Sequence, residues 1–478
     1  MTMVKPLRDP CRSDVITFPV FSLAWHGNST FNPNVDSRKS YNPLNCDVLA
    51  YCGGGGSAAT GVGNTFQIRI TYPSGFPRDI TLDTGKQIGV SIALYQCCDA
   101  GDHHVKFLIA VGDEVWLYSL SLVDEEADVK KLGTLLVGKG FGCNAVAFHP
   151  SGERFAVGCE NGQVVMYRIL CDVDTGNLQF EPQAFLSGHI KAVCSISYHP
   201  RGLAVLSSAK DGTCRIWDGN ATMEKDRNFC MHTLECLNMT MEEEKKSQKP
   251  KPKPGQLLVR GCAFGDLEGK IVYSVQSGRR GKAFLSRWHL TVIPPAAEKE
   301  RPKYQFTEVC RIPCSPCPVS AMDLSGDART LALGGVDGSI LLFNTEKMSL
   351  VKKWDEVHDL PITCIASRPM PTDLPGDIDD IRIDAITASA DNKLSFVTTE
   401  RRRRKKRTNK STTTTSHGLI YWTWLLMMIS LIGFLFKESY EVCESQIITF
   451  DVPEAVDCIL NSALWAPPST PGIMFVPH

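Results

Sequence analysis

The sequence predicts an all-β protein of repeated sheet units, followed by one membrane-spanning helix. Three observations carry that expectation. A strand, turn, strand, hairpin, strand pattern recurs through residues 20–398. Asn-Gly and Asp-Gly pairs punctuate it between alternating apolar runs, which is the chemistry of two-residue type I′ hairpins. Later, Leu419 to Phe436 runs without a single charge, and at 1.5 Å per residue that length reaches about 27 Å, enough for a thin bilayer.

The repeats are clearest in three places. Cys143 to Phe148 leads to Phe155 to Cys159, then Asn161-Gly162 and Val164 to Tyr167. Cys194 to Tyr198 leads to Ala204 to Ser208, then Asp211-Gly212 and Cys214 to Trp217. Val319 to Leu324 leads to Thr330 to Gly335, then Asp337-Gly338 and Ile340 to Phe343. Weaker units lie at 20–70, 88–122, 258–292 and 362–398. Seven units of this kind fall within the blade range of β-propellers. The pattern resembles the WD-repeat propeller most closely at 188–218, where Gly188-His189 precedes Trp217-Asp218. The resemblance implies a buried hydrogen-bonded tetrad of His189, a strand serine (Ser207 or Ser208), Asp211 and Trp217. His189 then reads as a structural histidine and not as a general base.

One stretch departs from the repeat. Between the apolar runs 47–52 and 65–70 lie Gly53, Gly54, Gly55 and Gly56, then Gly61, Gly63 and Asn64. A hairpin needs two to five loop residues, and each glycine costs backbone entropy when it is ordered. That expense points either to a bound phosphate, cation or partner backbone, or to a mobile hairpin tip without function. A nucleotide loop is excluded: no Gly-Lys-Ser/Thr opens a helix here, and the run after the loop alternates as a strand. A tip buries little, so replacing Asn64 is expected to leave thermal stability nearly unchanged.

Composition narrows the function classes. The formal net charge of −1 gives no global field for nucleic acid. The 19 cysteines are scattered through apolar runs and read as buried free thiols of a reducing compartment. Cys310, Cys314 and Cys317 lack a second ligand pair, and prolines interrupt the segment, which argues against zinc. No nucleophile and base stand at a telling spacing, so the chain is not expected to be an enzyme. Residues 241–255 are charged and proline-rich, the composition of a disordered surface insertion.

The domain order follows: a propeller over 1–398 with the glycine loop at 53–64, a basic juxtamembrane linker at 399–417, a membrane helix at 418–436 and a tail at 437–478. Arg401 to Arg407 precede the span, whereas Lys437 is followed by acids. The positive-inside rule therefore puts the propeller in the cytosol and the tail in the lumen. In an oxidising lumen Cys443 and Cys458, the tail's two cysteines, are expected to form a disulfide; free thiols and pairing with another chain are the alternatives.

A seven-unit propeller, a basic flank, one span and a short tail, with GGGG-x-x-x-x-G-x-x-N in the first unit, resembles one family. It is that of the endoplasmic-reticulum guanine-nucleotide exchange factors for the Sar-type small GTPase of the COPII coat, whose animal members are the prolactin regulatory element-binding proteins. The resemblance implies that Gly53, Gly54, Gly55, Gly56 and Gly61 shape a loop held by a potassium ion, and that Asn64 carries exchange. It also implies a location in the endoplasmic-reticulum membrane, contact with COPII coat or exit-site proteins, and no chemistry of the chain's own. Two rivals stand beside it. One is a membrane-tethered scaffold without exchange activity. The other is a DNA-binding transcriptional regulator, which the charge and the lack of a zinc-finger or helix-turn-helix signature disfavour.

Overall fold

The computed structural model describes residues 11–26, 46–56, 61–72, 77–99, 102–123, 126–138, 140–171, 178–223, 230–235, 257–278, 280–293, 303–369, 383–399 and 424–430. The expected insertion at 241–255 lies outside them. The chain divides into two units, Met1–Glu400 and Arg401–His478.

The first unit is a seven-bladed β-propeller, each blade a four-stranded antiparallel sheet. Blade 1 holds β2 (Val20–His26), β3 (Asp47–Gly53), β4 (Asn64–Thr71) and β5 (Arg78–Gly85) in that order. The ring closes in blade 7, where β1 (Cys11–Val15) pairs with β28 (Lys393–Val397), outside β27 (Ala385–Ser389) and β26 (Ile362–Ser367). Ser13 and Ser395 share a hydroxyl hydrogen bond of 2.7 Å across that seam. Arg69 of blade 1 binds Asp14 of the closing strand at 3.1 Å and Asp79 of β5 at 2.8 Å, which ties the first blade to the last.

Each blade buries the second strand most deeply. β15 (Ala204–Ala209) is buried at every position, as is β27. Parts of neighbouring blades share one apolar seam, for example Phe66, Phe107 and Leu120 between blades 1 and 2. The fourth strands are different. β5 alternates exposed and half-buried residues with one buried position, and β9 (Glu126–Leu136) buries none. The sequence units above contained only three strands: in the fourth the apolar positions, such as Ile80 and Leu82 of β5 and Val129 and Leu132 of β9, are only half-buried and lie among charged residues.

The hairpins also differ from expectation. At Asp211-Gly212 the glycine N–H donates to the Ala209 carbonyl at 3.2 Å, and only the glycine has positive φ, 87°. Asn161-Gly162 repeats this with φ of 89°. These are type I turns followed by a left-handed glycine, not type I′ turns, which need positive φ at both central positions. In blade 4 the aspartate carboxylate is turned inward to His189 and away from the hairpin tip.

In the second unit residues 424–430 are helical. Among the described residues no helix is long and apolar enough to cross a membrane. Residues 400–423 and 431–478, which hold the rest of the expected linker and span, the tail, and Cys443 and Cys458, lie outside the described residues.

Candidate interaction face and its glycine-rich connector

The second and third strands of every blade are joined on one face of the propeller. On that face blade 4 carries its Asp211 turn between β15 and β16 (Thr213–Asp218), and blade 7 carries Asp391 between β27 and β28. The same connection in blade 1, between β3 and β4, is the glycine stretch, residues 54–63. Where blade 4 uses residues 210–212, blade 1 inserts a long arm.

The tetrad fixes the geometry of this face. His189 Nδ1 lies 3.0 Å from Asp211 Oδ2, and His189 Nε2 lies 2.8 Å from Ser207 Oγ. Trp217 Nε1 donates to the same Ser207 hydroxyl at 2.8 Å. Ser207 is therefore the tetrad serine; Ser208 Oγ is buried without a protein partner. Asp211 also accepts from Thr213 N–H at 3.0 Å and Ile190 N–H at 3.1 Å. Burial pushes the Asp211 carboxyl up, but the bonds from His189 and Thr213 outweigh it and hold the group well below the usual carboxylate range. A histidine this enclosed, with both nitrogens engaged, is a cross-brace between a connector and two strands.

Two related networks were not read from the sequence. In blade 7, His358 Nδ1 lies 3.1 Å from Asp391 and Nε2 lies 3.0 Å from Thr387 Oγ1. Val397 stands where blade 4 has Trp217, so this brace has three members. The signal was present in His358 and in Asp391-Asn392, but residues 370–382 stretch the spacing and hide it. In blade 5, Trp288 Nε1 donates to Ser274 Oγ at 2.9 Å, and among the described residues no histidine joins them.

The glycine connector is built at its base. Gly54 N–H donates to the Pro19 carbonyl at 2.9 Å. A Cβ on Gly53 would sit 1.8 Å from that carbonyl oxygen, and one on Gly54, at φ of 135°, would sit 2.5 Å from Asn64 Cα. Only glycine fits either place. Asn64 is the first residue of β4 and is buried. Its Oδ1 accepts from Gly56 N–H at 2.8 Å, while its Nδ2 donates to Gly56 O at 3.2 Å and Gly85 O at 2.9 Å. The side chain thus grips both backbone groups of Gly56 and pins the start of the arm to the end of β5. Asn64 lies at the root of the connector and is buried, not at a tip that buries little, so the ground given for thermal indifference to its loss does not hold. Gly55 and Gly56 are half-buried, whereas Gly61 is exposed, with φ of 76° and open space around it. Residues 57–60 lie outside the described residues. The carbonyls of Gly56 and Gly85, the oxygen type a potassium ion would take, are already engaged by Asn64.

Apolar side chains stand exposed on connectors of the same face. Ile190, directly after His189, is 80% exposed, and Leu360, two residues after His358, is 45% exposed. Phe141 and Val336 are exposed on neighbouring connectors. A braced face with protruding apolar groups and a glycine arm is suited to binding another macromolecule.

The fold and the tetrad define a WD-repeat propeller scaffold. Residues 130–168 and 180–218 match the family described as WD40, the WD domain, G-beta repeat. The chain is similar to the COMPASS component SWD1 of Saccharomyces cerevisiae, 35% identical over 71 residues, which cover 15% of this chain and 16% of that protein. It is also similar to the chromatin assembly factor 1 subunit FAS2 homolog of Oryza sativa subsp. japonica, 25% identical over 117 residues, covering 24% of this chain and 21% of that one. The chain thus spans about a fifth or less of the length of these relatives. Among solved structures, Chaetomium thermophilum Sqt1, bound to the N-terminus of the ribosomal protein L10, superposes with a TM-score of 0.51 at 15% identity. That match covers 80% of this chain and 98% of Sqt1. It speaks for the shared fold alone.

Proposed function

We propose that this chain is a membrane-anchored guanine-nucleotide exchange factor for a Sar-type small GTPase, acting on the cytosolic face of the endoplasmic reticulum to start COPII budding. The observation that supports this reading is the glycine connector of blade 1. It is an arm where the other blades have short turns, and Asn64 clamps its root. An exchange factor needs no acid or base. It binds the nucleotide-free GTPase more tightly than the loaded one, and by linkage weakens nucleotide binding by the same factor. A stiff propeller with an arm held at its root can displace switch elements that hold Mg²⁺ and phosphate. The apolar run 419–436, preceded by the basic run 401–407, would confine that action to the membrane where the GTPase inserts its own amphipathic helix.

The test is release of a fluorescent GDP analogue from purified Sar-type GTPase with the protein in detergent micelles. Acceleration that saturates with added protein supports the proposal; release at the intrinsic rate refutes it. The second reading is a tethered scaffold without exchange activity, favoured by the short matches to subunits of larger assemblies. It predicts GTPase binding with no change in release rate.

A further inference from the structure

Cys143 opens β10 (Cys143–Phe148) and Cys159 ends β11 (Arg154–Cys159), and the two are direct cross-strand partners in blade 3. Their backbone bonding shows which kind of pair they form. Cys143 N–H donates to Gly112 O at 2.7 Å and Cys159 N–H to Gln163 O at 2.8 Å, so neither amide bonds the other residue. The flanking bond, Glu160 N–H to Gly142 O at 2.8 Å, marks a non-hydrogen-bonded pair. In such pairs the Cα atoms approach to about 4.5 Å with both side chains on one face. Disulfides span Cα separations of about 4.4–6.8 Å. Both thiols are buried in the seam between blades 2 and 3, yet the next residue along β11, Glu160, is exposed at the connector face and Gly142 is only half-buried.

We propose that Cys143 and Cys159 form an oxidisable dithiol site, converted by hydroperoxides into a cross-strand disulfide within blade 3. The chemistry assigns the roles. The Cys143 thiol hydrogen-bonds to Cys159, lowering the Cys159 pKa against the opposing effect of burial. The same bond, burial and the nearby Asp113 carboxylate raise that of Cys143. The Tyr167 phenol beside them is pushed up by burial and remains neutral. The Cys159 thiolate therefore attacks the peroxide oxygen; the O–O bond breaks, and Cys159 becomes a sulfenic acid as hydroxide leaves. Hydroxide takes the Cys143 proton to give water. The Cys143 thiolate then attacks the Cys159 sulfur, the S–S bond forms, and the departing oxygen leaves as water with the proton first released by Cys159. Two thiols are oxidised by two electrons and one hydrogen peroxide is reduced to two waters. The inference stands independently of the exchange reading.

The experiment treats the reduced full-length protein in micelles with hydrogen peroxide, blocks free thiols with N-ethylmaleimide and digests with trypsin. Cleavage after Arg154 separates the two cysteines, so a bridge appears as peptide 140–154 linked to peptide 155–168 and vanishes on reduction. The expected result is this linked pair accumulating at least ten-fold faster than any other cysteine adduct. In Cys143→Ser, dimedone should trap Cys159 as the sulfenic acid. Recovery of both cysteines as maleimide adducts after exposed Cys171 has been oxidised overturns the proposal. So does a bridge from either cysteine to a third.

Discussion

Replacing Asn64 with alanine removes three hydrogen bonds at once, two to Gly56 and one to Gly85. At about 1 kcal/mol each, the grip on the connector is worth about 3 kcal/mol. Opening only the connector lets water reach the freed groups. The loss therefore appears chiefly as local opening, raised about 150-fold by that energy, and much less in global unfolding. With an unfolding entropy of about 2.1 cal/mol/K per residue, even the full 3 kcal/mol lowers Tm by only about 3–4 °C in a ring of this size. Asn64→Asp should be worse. It keeps an acceptor for Gly56 N–H but sets a carboxylate against two carbonyl oxygens. Hydrogen exchange resolved to residues 54–56 and 64–66 reads the effect directly, alongside GDP release from the GTPase. Unchanged protection of the Gly56 amide in Asn64→Ala would refute the reasoning, because the grip would then carry no energy.

Four further outcomes are expected. Gly53→Ala must displace the Pro19 carbonyl and should cost about 2 kcal/mol or more. Gly61→Ala meets only its φ of 76° and should cost about 1 kcal/mol; urea titration separates the two. Asp211→Ala strips His189, Thr213 and Ile190 of one shared acceptor and should destabilise blade 4 by about 3 kcal/mol, visible as lost protection of β14–β16 amides (β14 being Val193–Tyr198). Arg69→Ala removes the cation that joins Asp14 to Asp79 at the ring seam and should lower stability by about 1–2 kcal/mol, less at high salt; an unchanged denaturation midpoint at low salt would refute it. Burial lowers the His26 pKa to about 4, with a bond to Gln96 opposing, and lowers that of His149 to about 4, aided by Arg154. Below pH 6.5 the unfolded chain binds these protons first, so stability present above pH 6.5 falls as pH drops toward 4, by about 3 kcal/mol per histidine at most. His26→Gln should flatten that slope in thermal melts taken from pH 7 to pH 4.5; an unaltered slope would sink the assignment.

The blade count was legible because the inner strands of each blade are short, deeply buried runs set between turn residues, as Ala204 to Ala209 shows without a single exposed position. The outermost strands were not, since in Arg78 to Gly85 and Glu126 to Leu136 the apolar residues turned to the core, Ile80, Leu82, Val129 and Leu132, stay half-buried among charged ones. His189, Asp211 and Trp217 fell together as expected, and packing alone could choose Ser207 over Ser208. The three-membered brace around His358 was missed because residues 370–382 stretch its spacing and Val397 stands where a tryptophan would mark it. For the glycine stretch, the sequence revealed its length and its terminal asparagine but not that Asn64 faces inward. Which way a polar side chain turns at a strand end depends on what the neighbouring strand offers, here the Gly85 carbonyl.

The pairing of β1 with β28 sets a schedule for the chain's birth. The strand that seals the ring is made about 380 residues before its partner, which ends at Val397. At translation rates of about 5–20 residues per second, Cys11 to Val15 wait on the order of 20–80 s for the strand they bond. Through that interval six blades can assemble in order while the seventh has no edge to offer. Once β26 to β28 arrive, until β1 docks, β28 presents a bare row of backbone donors and acceptors, the surface through which unfinished sheets join strangers. Arg12 and Asp14 on the waiting strand keep it soluble meanwhile, and Arg69 is placed to catch it. Removing residues 11–15 would leave a ring that is complete in number and permanently open.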